Sequence, residues 1–409
     1  ASLNGFFIQE QAADQDNDIR TSEGLFVASN LVTVAQGDVV RVSGVVSESS
    51  GLTALSSVSH IQVCASGTPA SPMAVTLPFD PSSNNAEWYE GMHVVLPQTL
   101  SVTENYNLGR FGEVVVAAGG RLLAPTQVSP PGAPALAAQA QNNLKRLVIN
   151  DRLSIANPDP VIYPAPALSA ANTLRSGDTV TGATGVLSYG FGSYRLEPTQ
   201  TPAFVAAHAR PAGVGLPGVG SLRVASFNVL NFFNGDGLGG GFPTVRGASS
   251  ATELQRQKDK IVAAIHALNA DVVGLMEIEN DGYGLNSAIQ ELVDGLNALG
   301  GPGNYAFVNP GLGRIGTDEI AVGMIYKPSK VALVGGARIL DSSIDRRFID
   351  TKNRPVLAQT VREATSGKTI TVAVNHLKSK GSACDDVGDP DVGDGQGNCR
   401  VTRTNAALA

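Results

Sequence analysis

The stretch Asp271–Asn280, DVVGLMEIEN, decides how this chain reads. From Val272 to Met276 it is uninterrupted and apolar, the mark of a strand buried on both faces, and it ends on an acid, Glu277. Upstream, Thr252-Glu253-Leu254-Gln255 reads as a capping box, and Ile261, Ile265 and Leu268 place one apolar stripe on the helix that follows. Leu222–Val229 is an apolar strand before that helix. Downstream the pattern predicts a helix over Ser287–Leu299 and strands at Ile320–Tyr326, Val356–Val361 and Thr369–Val374. This is α/β order, with polar residues delivered at strand ends, where ligands usually sit.

The first two hundred residues have another texture. Gly37–Val46 alternates at period two, Gly177–Val186 repeats its pattern, and Tyr89–Leu96 looks like a third version. Short strands opened by Gly-Asp or Glu-Gly turns predict small antiparallel barrels of the OB type, one over residues 1–80 and a second over 81–200. A stretch with Pro211, Gly213, Gly215, Pro217, Gly218 and Gly220 marks a linker, 201–220, and the α/β domain occupies 221–409. The expected fold class is therefore multidomain: all-β OB-like barrels, then an α/β domain. A chain of 409 residues is long enough for two or three cores.

Charge is divided unevenly. Residues 1–144 have a net charge of −8 with no lysine, whereas Leu340–Ala383 carries eight basic residues against four acidic ones. The acidic N-terminal part is a poor polyanion surface, and the basic segment is the candidate one, against a solvated mixed-charge face. No apolar stretch approaches the roughly 18 residues needed to cross a bilayer. Ala1–Glu10 lacks a secretory signal pattern, so the expectation is a soluble chain whose targeting peptide has been removed.

Cys384 and Cys399 bracket CDDVGDPDVGDGQGNC, a loop with five Asp and no apolar periodicity. A disulfide is the natural reading, worth about 3 kcal/mol by loop closure and pointing to an oxidising, extracytoplasmic compartment. Metal binding by two cysteines so far apart is the weaker alternative. Cys64 reads as a buried free thiol, and Asp14, Asp16 and Asp18 as a solvated turn rather than a calcium loop.

Three strand ends each carry one polar residue: Asn228 in SFNVLNFF, Glu277 in DVVGLMEIEN and His376 in VAVNHLKSKG. Any one alone is most often only hydrogen-bonded. Together they offer an acid and an amide for a hard cation, a histidine for proton transfer and a basic segment for phosphate. Those are the parts of a metal-assisted phosphodiesterase.

With GTDEIAVGMIYKPSKV, NRPVLAQTV, NHLKSKGSACDD and GQGNCRVTRTNAA added, residues 221–409 resemble the endonuclease/exonuclease/phosphatase superfamily, the DNase I-like fold. The whole chain is similar to the large secreted bacterial nucleases of the ExeM and NucH type, which place an OB-like region before such a domain. The resemblance implies a four-layered α/β sandwich in which Asn228 and Glu277 hold Mg²⁺ or Mn²⁺. It implies that Arg354 holds the scissile phosphate, that His376 acts at the attacking or leaving oxygen, and that Asp318 orients that histidine. Arg354 as a surface charge beside Pro355 is the plain alternative. The acidic loop between Cys384 and Cys399 is a second candidate cation site, for Ca²⁺, against a solvated loop. The partners implied are DNA, with RNA as a second substrate, outside the cell, and the implied products carry 5′-phosphates.

Superfamily members also carry a GDFN-like motif and an SDH-like motif, and neither occurs in these 409 residues. The domain therefore reads as the N-terminal portion of the sandwich, incomplete at its C-terminus, with a C-terminal fragment of the same protein as a partner that completes it. Two rivals follow: a phosphatase or lipid phosphodiesterase on the same fold, and a truncated fragment that binds nucleic acid without cutting it.

Overall fold

The computed structural model describes residues 4–16, 18–67, 69–153, 155–211, 213–215 and 220–409. The chain divides into two compact units, Ala1–Arg210 and Pro211–Ala409. Of the predicted linker 201–220, residues 212 and 216–219, with Pro217 and Gly218 among them, lie outside the described residues.

The first unit opens with β1 (Phe6–Gln9), β2 (Gly24–Val27), β3 (Asp38–Ser49) and β4 (Leu52–Ser66), a sheet in the order β1-β2-β4-β3. It is an open sheet, not the closed barrel expected over residues 1–80. Its buried core is Phe26, Leu52 and Ala54, with Phe7 packed against it. Farther along the β3–β4 hairpin the apolar residues are small and separated by serines, and Val45 and Val46 are 59% and 67% exposed. Such a ribbon has no large side chains around which a barrel could close. For the same reason Cys64, expected to be buried, is exposed.

The barrel lies in the next stretch. It is built from β5 (Met73–Ala74), β6 (His93–Glu104), the helical turn α1 (Leu108–Phe111), β7 (Val114–Ala117), the turn α2 (Pro125–Val128), α3 (Ala133–Lys145) and β8 (Arg146–Ile149). It continues through β9 (Thr179–Gly190), β10 (Ser193–Pro198) and β11 (Phe204–Val205). The strands run β9-β10-β8-β7-β6, and β6 pairs with β9 to close a ring of five. Period-two alternation turns Val94, Leu96, Leu100, Val102, Leu187 and Leu196 inward, where they are buried. Phe204 and Val205 pair with β9, so the start of the expected linker belongs to this sheet.

The second unit comprises β12 (Val224–Phe232), α4 (Ala251–Leu268), β13 (Val272–Glu279), α5 (Ala288–Gly300), β14 (Ala306–Phe307) and β15 (Ile320–Tyr326). It ends with β16 (Val331–Leu340), β17 (Arg354–Glu363), β18 (Thr369–His376) and α6 (Arg400–Leu408). One sheet has the order β12-β13-β15-β14, with β12 and β13 parallel, and the other has the order β16-β17-β18. The α4 cap sits two residues earlier than the sequence suggested: Ser250 Oγ accepts from Glu253 N while Ser249 N donates to Glu253 Oε2.

Ile261 and Ile265 of α4 and Leu292 and Leu296 of α5 are buried in the same core as β13, β15 and β17. Each such side chain contributes roughly 1.5–3 kcal/mol by leaving water. Glycines set the spacing between layers. A Cβ on Gly274 would lie 2.9 Å from Val374 of β18, and one on Gly323 would lie 3.0 Å from Ile289 of α5. The β12-β13-β15-β14 sheet therefore lies between the helices and the second sheet. Among the described residues this gives three full layers, and α6 begins the expected fourth on the far face of the second sheet, where Ala406 packs with Val356 and Phe348. The far face of β16-β17-β18 carries short polar side chains such as Thr360 and Thr371, hydrogen-bonded across the strands and exposed. Among the described residues no helix is long and apolar enough to cross a membrane.

Candidate active site

The two central strands change register where the polar residues stand. β13 slips between Met276 and Ile278, leaving Glu277 at φ 65°, and β12 slips after Asn228, with Leu230 and Asn231 at φ 53° and 51°. Positive φ in non-glycine residues is costly and concentrates at functional positions, and bulges re-aim side chains. Here they turn Asn228 and Glu277 toward each other. Asn228 Nδ2 donates to Glu277 Oε1 at 2.8 Å, and Leu230 N donates to Asn228 Oδ1 at 2.8 Å.

The second sheet supplies the facing residues. Arg354 at the start of β17 is the cross-strand partner of His376 at the end of β18. His376 Nε2 lies 3.6 Å from Glu277 Oε1, which ties the two sheets together at this end. Arg354 Nη2 lies 3.0 Å from Asp318 Oδ2, and Arg246 Nη1 lies 2.8 Å from Asp318 Oδ1. The carboxylate beside His376 is thus that of Glu277. Asp318 bonds Arg354, Arg246 and Ile320 N, and makes no hydrogen bond to the histidine it was expected to orient. All five residues named from the sequence converge here as two linked groups, Asn228–Glu277–His376 and Asp318–Arg354.

Burial, and then the Arg354 charge, hold the His376 imidazole below its ordinary value, with Glu277 and Asp318 pulling the other way. His376 Nδ1 and Arg354 Nε are buried without a hydrogen-bond partner. Buried polar nitrogens left unpaired are costly, and here both lie at one end of the sheets. A cleft of about 270 Å³ opens beside them, lined in part by Arg246, Asp318, Lys352, Asn353 and Arg354.

Several residues at this end were not singled out in the sequence. Asn280 is buried and holds the loop that carries Asp318: its Nδ2 donates to Ile315 O and Asp318 O, and its Oδ1 accepts from Ile315 N. Its place right after the MEIE strand end was the available signal. Glu279, half-buried near Asp281 and Glu319, is pushed up to about 7, chiefly by desolvation. Arg246 lies in a Gly-rich loop and carries no local pattern.

The disulfide Cys384–Cys399 is formed, with its Cα atoms 5.3 Å apart and both residues fully buried. The loop it closes does not gather its aspartates around a cation. Asp386 pairs with Lys352, Asp389 accepts from Thr402 N at the start of α6, and Asp394 pairs with Arg400. Among the described residues no group of three or more His, Cys, Asp or Glu side chains could enclose a metal. Glu277 has one oxygen engaged by Asn228. The Asn228 amide turns its Nδ2 to that carboxylate and its Oδ1 to Leu230 N, so the protein offers one carboxylate and, beside it, one amide oxygen already in a hydrogen bond. Such a set serves a hard divalent cation that keeps much of its water and takes one or two carboxylates plus substrate phosphate, and does not make an all-protein cage.

Residues 62–209, which include the barrel, match the family model described as a domain of unknown function, DUF8508. No curated protein matches the chain. Solved structures similar to it include the human Nocturnin catalytic domain with bound sulfate anion. That one is 20% identical over 39% of this chain and 50% of that one, with a TM-score of 0.24. An endonuclease/exonuclease/phosphatase family protein from Bacteroides thetaiotaomicron is 16% identical over 38% of this chain and 50% of its own, at TM-score 0.26. ANGEL2, a 2′,3′-cyclic phosphatase, is 19% identical over 29% of this chain and 31% of its own, at TM-score 0.21. The chain spans half or less of each of them.

Proposed function

We propose that the C-terminal unit is a metal-dependent phosphodiesterase of the endonuclease/exonuclease/phosphatase type, acting as a sugar-nonspecific endonuclease on DNA and, secondarily, RNA outside the cell. One observation carries the reading: four strands and one loop bring Asn228, Glu277, His376, Arg354 and Asp318 together, with the buried Arg354 Nε donor turned to no protein partner. A phosphate oxygen is the acceptor that such a donor fits.

In this reading Arg354 seats the scissile phosphate. Its Nη2 is held by Asp318, and the unpaired Nε is left for a phosphate oxygen, which fixes the phosphorus in one orientation. His376, kept neutral near pH 7, moves a proton at the attacking or leaving oxygen, and Glu277 across from its Nε2 steadies the ring when it gains charge. Glu277 and Asn228 are the residues to hold a divalent ion, Mg²⁺ or Mn²⁺, which when bound would supply charge stabilisation at the phosphoryl oxygen. The disulfide in residues 384–399 supports an oxidising, extracellular setting.

Nicking of supercoiled plasmid by the purified chain tests this, with Mg²⁺ or with excess chelator. Nicking that the chelator abolishes and His376→Ala removes is the expected result. Hydrolysis of phosphate monoesters with no action on plasmid or on a simple phosphodiester would overturn it in favour of a phosphatase.

A further inference from the structure

Beside the Arg354 seat stands a second group of cations that the reading above leaves unused. Lys378, two residues past His376, is partly buried and held below the ordinary lysine range by that burial and then by Arg354, Lys352 and Arg403 around it, with Asp386 opposing. Lys378 N bonds Asn353, the residue between Lys352 and Arg354, and Lys352, Asn353 and Arg354 line one cleft, so two lysines stand beside Arg354, with Arg403 of α6 near enough for its charge to act on Lys378. Like charges brought together repel, and an anion among them relieves the cost.

Their positions are fixed by structure rather than left to solvent. Lys378 N donates to Asn353 Oδ1 at 2.9 Å, its Nζ donates to Ser382 Oγ, and the buried Asn353 is itself bonded to Ile349 O at 3.0 Å. Arg403 Nη2 donates to Gln396 O at 3.0 Å within the disulfide-closed loop. Lys352 Nζ meets Asp386 Oδ2 at 2.6 Å, and the lysine side chain is 17% exposed where the aspartate is 64% exposed. Asp386 therefore lies on the solvent side of Lys352, one carboxylate among three cations, held two residues after Cys384.

We propose that Lys352, Lys378 and Arg403 form a second phosphate subsite, taking a phosphate next to the scissile one in a polynucleotide, and that Asp386 covers Lys352 until that phosphate replaces it. The inference rests on the phosphodiesterase reading, in which Arg354 holds the scissile phosphate. It adds a substrate class: a chain with consecutive phosphates is preferred over a mononucleotide or a free monoester, which can fill one subsite only.

The test is equilibrium binding, in chelator, of a fluorescent phosphorothioate oligothymidylate to the full chain over a salt series, with inorganic phosphate binding measured alongside. Each subsite cation removed, as in Lys352→Ala or Lys378→Ala, is expected to flatten the log–log salt dependence by about 0.7 and weaken the oligonucleotide several-fold at low salt. Inorganic phosphate binding is expected to survive both changes, Lys378→Arg to restore the slope, and Asp386→Asn to tighten the oligonucleotide at low salt. A Lys352→Ala/Lys378→Ala double variant that folds and keeps the wild-type slope overturns the subsite. Failure of inorganic phosphate to bind the wild type, or its indifference to Arg354→Ala in the Lys352→Ala/Lys378→Ala background, overturns the seat at Arg354 instead, so the two ideas fail separately.

Discussion

The barrel and the C-terminal sandwich both bury polar side chains, but they leave different atoms unpaired. In the barrel Glu197 is met by Asn150 and Ser188, and Arg195 by Glu113, all well inside. The barrel unit's unpaired buried atoms, on Glu90, Gln98 and Asp151, are all oxygens. Glu90 and Asp151 are raised by burial, which favours their neutral forms. In the sandwich unit the unpaired atoms are mostly nitrogens, Arg354 Nε, His376 Nδ1 and Arg400 Nε, with one oxygen, Asn234 Oδ1. A buried acid can relieve its own cost by taking up a proton, whereas an arginine keeps its charge and its unused donor. The first pattern is that of a structural module. The second is that of a site built for an anion.

The largest effect expected is in the sandwich. His376→Ala should lower plasmid nicking by about 10²–10⁴-fold with the fold intact, measured as initial rates alongside circular dichroism. Arg354→Lys keeps the charge but loses the planar fork, and should cost about 10²–10³-fold; near-wild-type rates would place the phosphate elsewhere. In the barrel the opposite split is expected. Arg195→Ala leaves the half-buried Glu113 charge unpaired, and should destabilise the first unit by about 1–3 kcal/mol in denaturant unfolding while nicking persists.

Cys384→Ser with Cys399→Ser opens the acidic loop and should cost the sandwich about 3 kcal/mol. Unfolding midpoints that ignore reductant would contradict this. The smallest effect concerns Glu90, whose carboxyl is raised from 4.5 to about 7 by burial, with Glu87 and Glu48 adding to it. A group raised on folding contributes stability that is complete below pH 4.5 and is lost as pH climbs through about 7. Glu90→Gln should flatten that part of the pH–stability curve and leave the catalytic rate alone.

How much of this was legible in the sequence differs between the same two regions. Ile320–Tyr326 was predicted to the residue, because a fully buried strand is a continuous apolar run with turn residues at each end. β16 was missed, since Val331–Leu340 is broken by Gly335 and Gly336 and lies at a sheet edge with half its residues exposed. The expected barrel over residues 1–80 failed for a related reason. Period-two alternation in β3 marks a strand but says nothing of whether large side chains exist to close around, and the long hairpin has few.

At the site, strand-end position alone brought out Asn228, Glu277 and His376, because an apolar run that stops on a polar residue is a local signal. Which carboxylate faces the histidine was not local. Asp318 and Glu277 are both acids next to buried strands, and only the bulge at Glu277 and the pairing of β17 with β18 decide that Glu277 meets His376 while Asp318 holds Arg354. Arg246 became visible only once the loops were in place, whereas Lys378 was legible only as one base of the segment Leu340–Ala383.

The most direct test of the contrast between the two regions is calorimetric titration of inorganic phosphate into the full chain, its Arg354→Ala variant and a barrel variant, Glu197→Gln. Saturable binding that Arg354→Ala weakens or reduces by one site and Glu197→Gln leaves untouched is the predicted result. Binding unchanged in affinity and stoichiometry by the loss of Arg354, or lost with Glu197→Gln, would contradict an anion site at the strand ends of the sandwich.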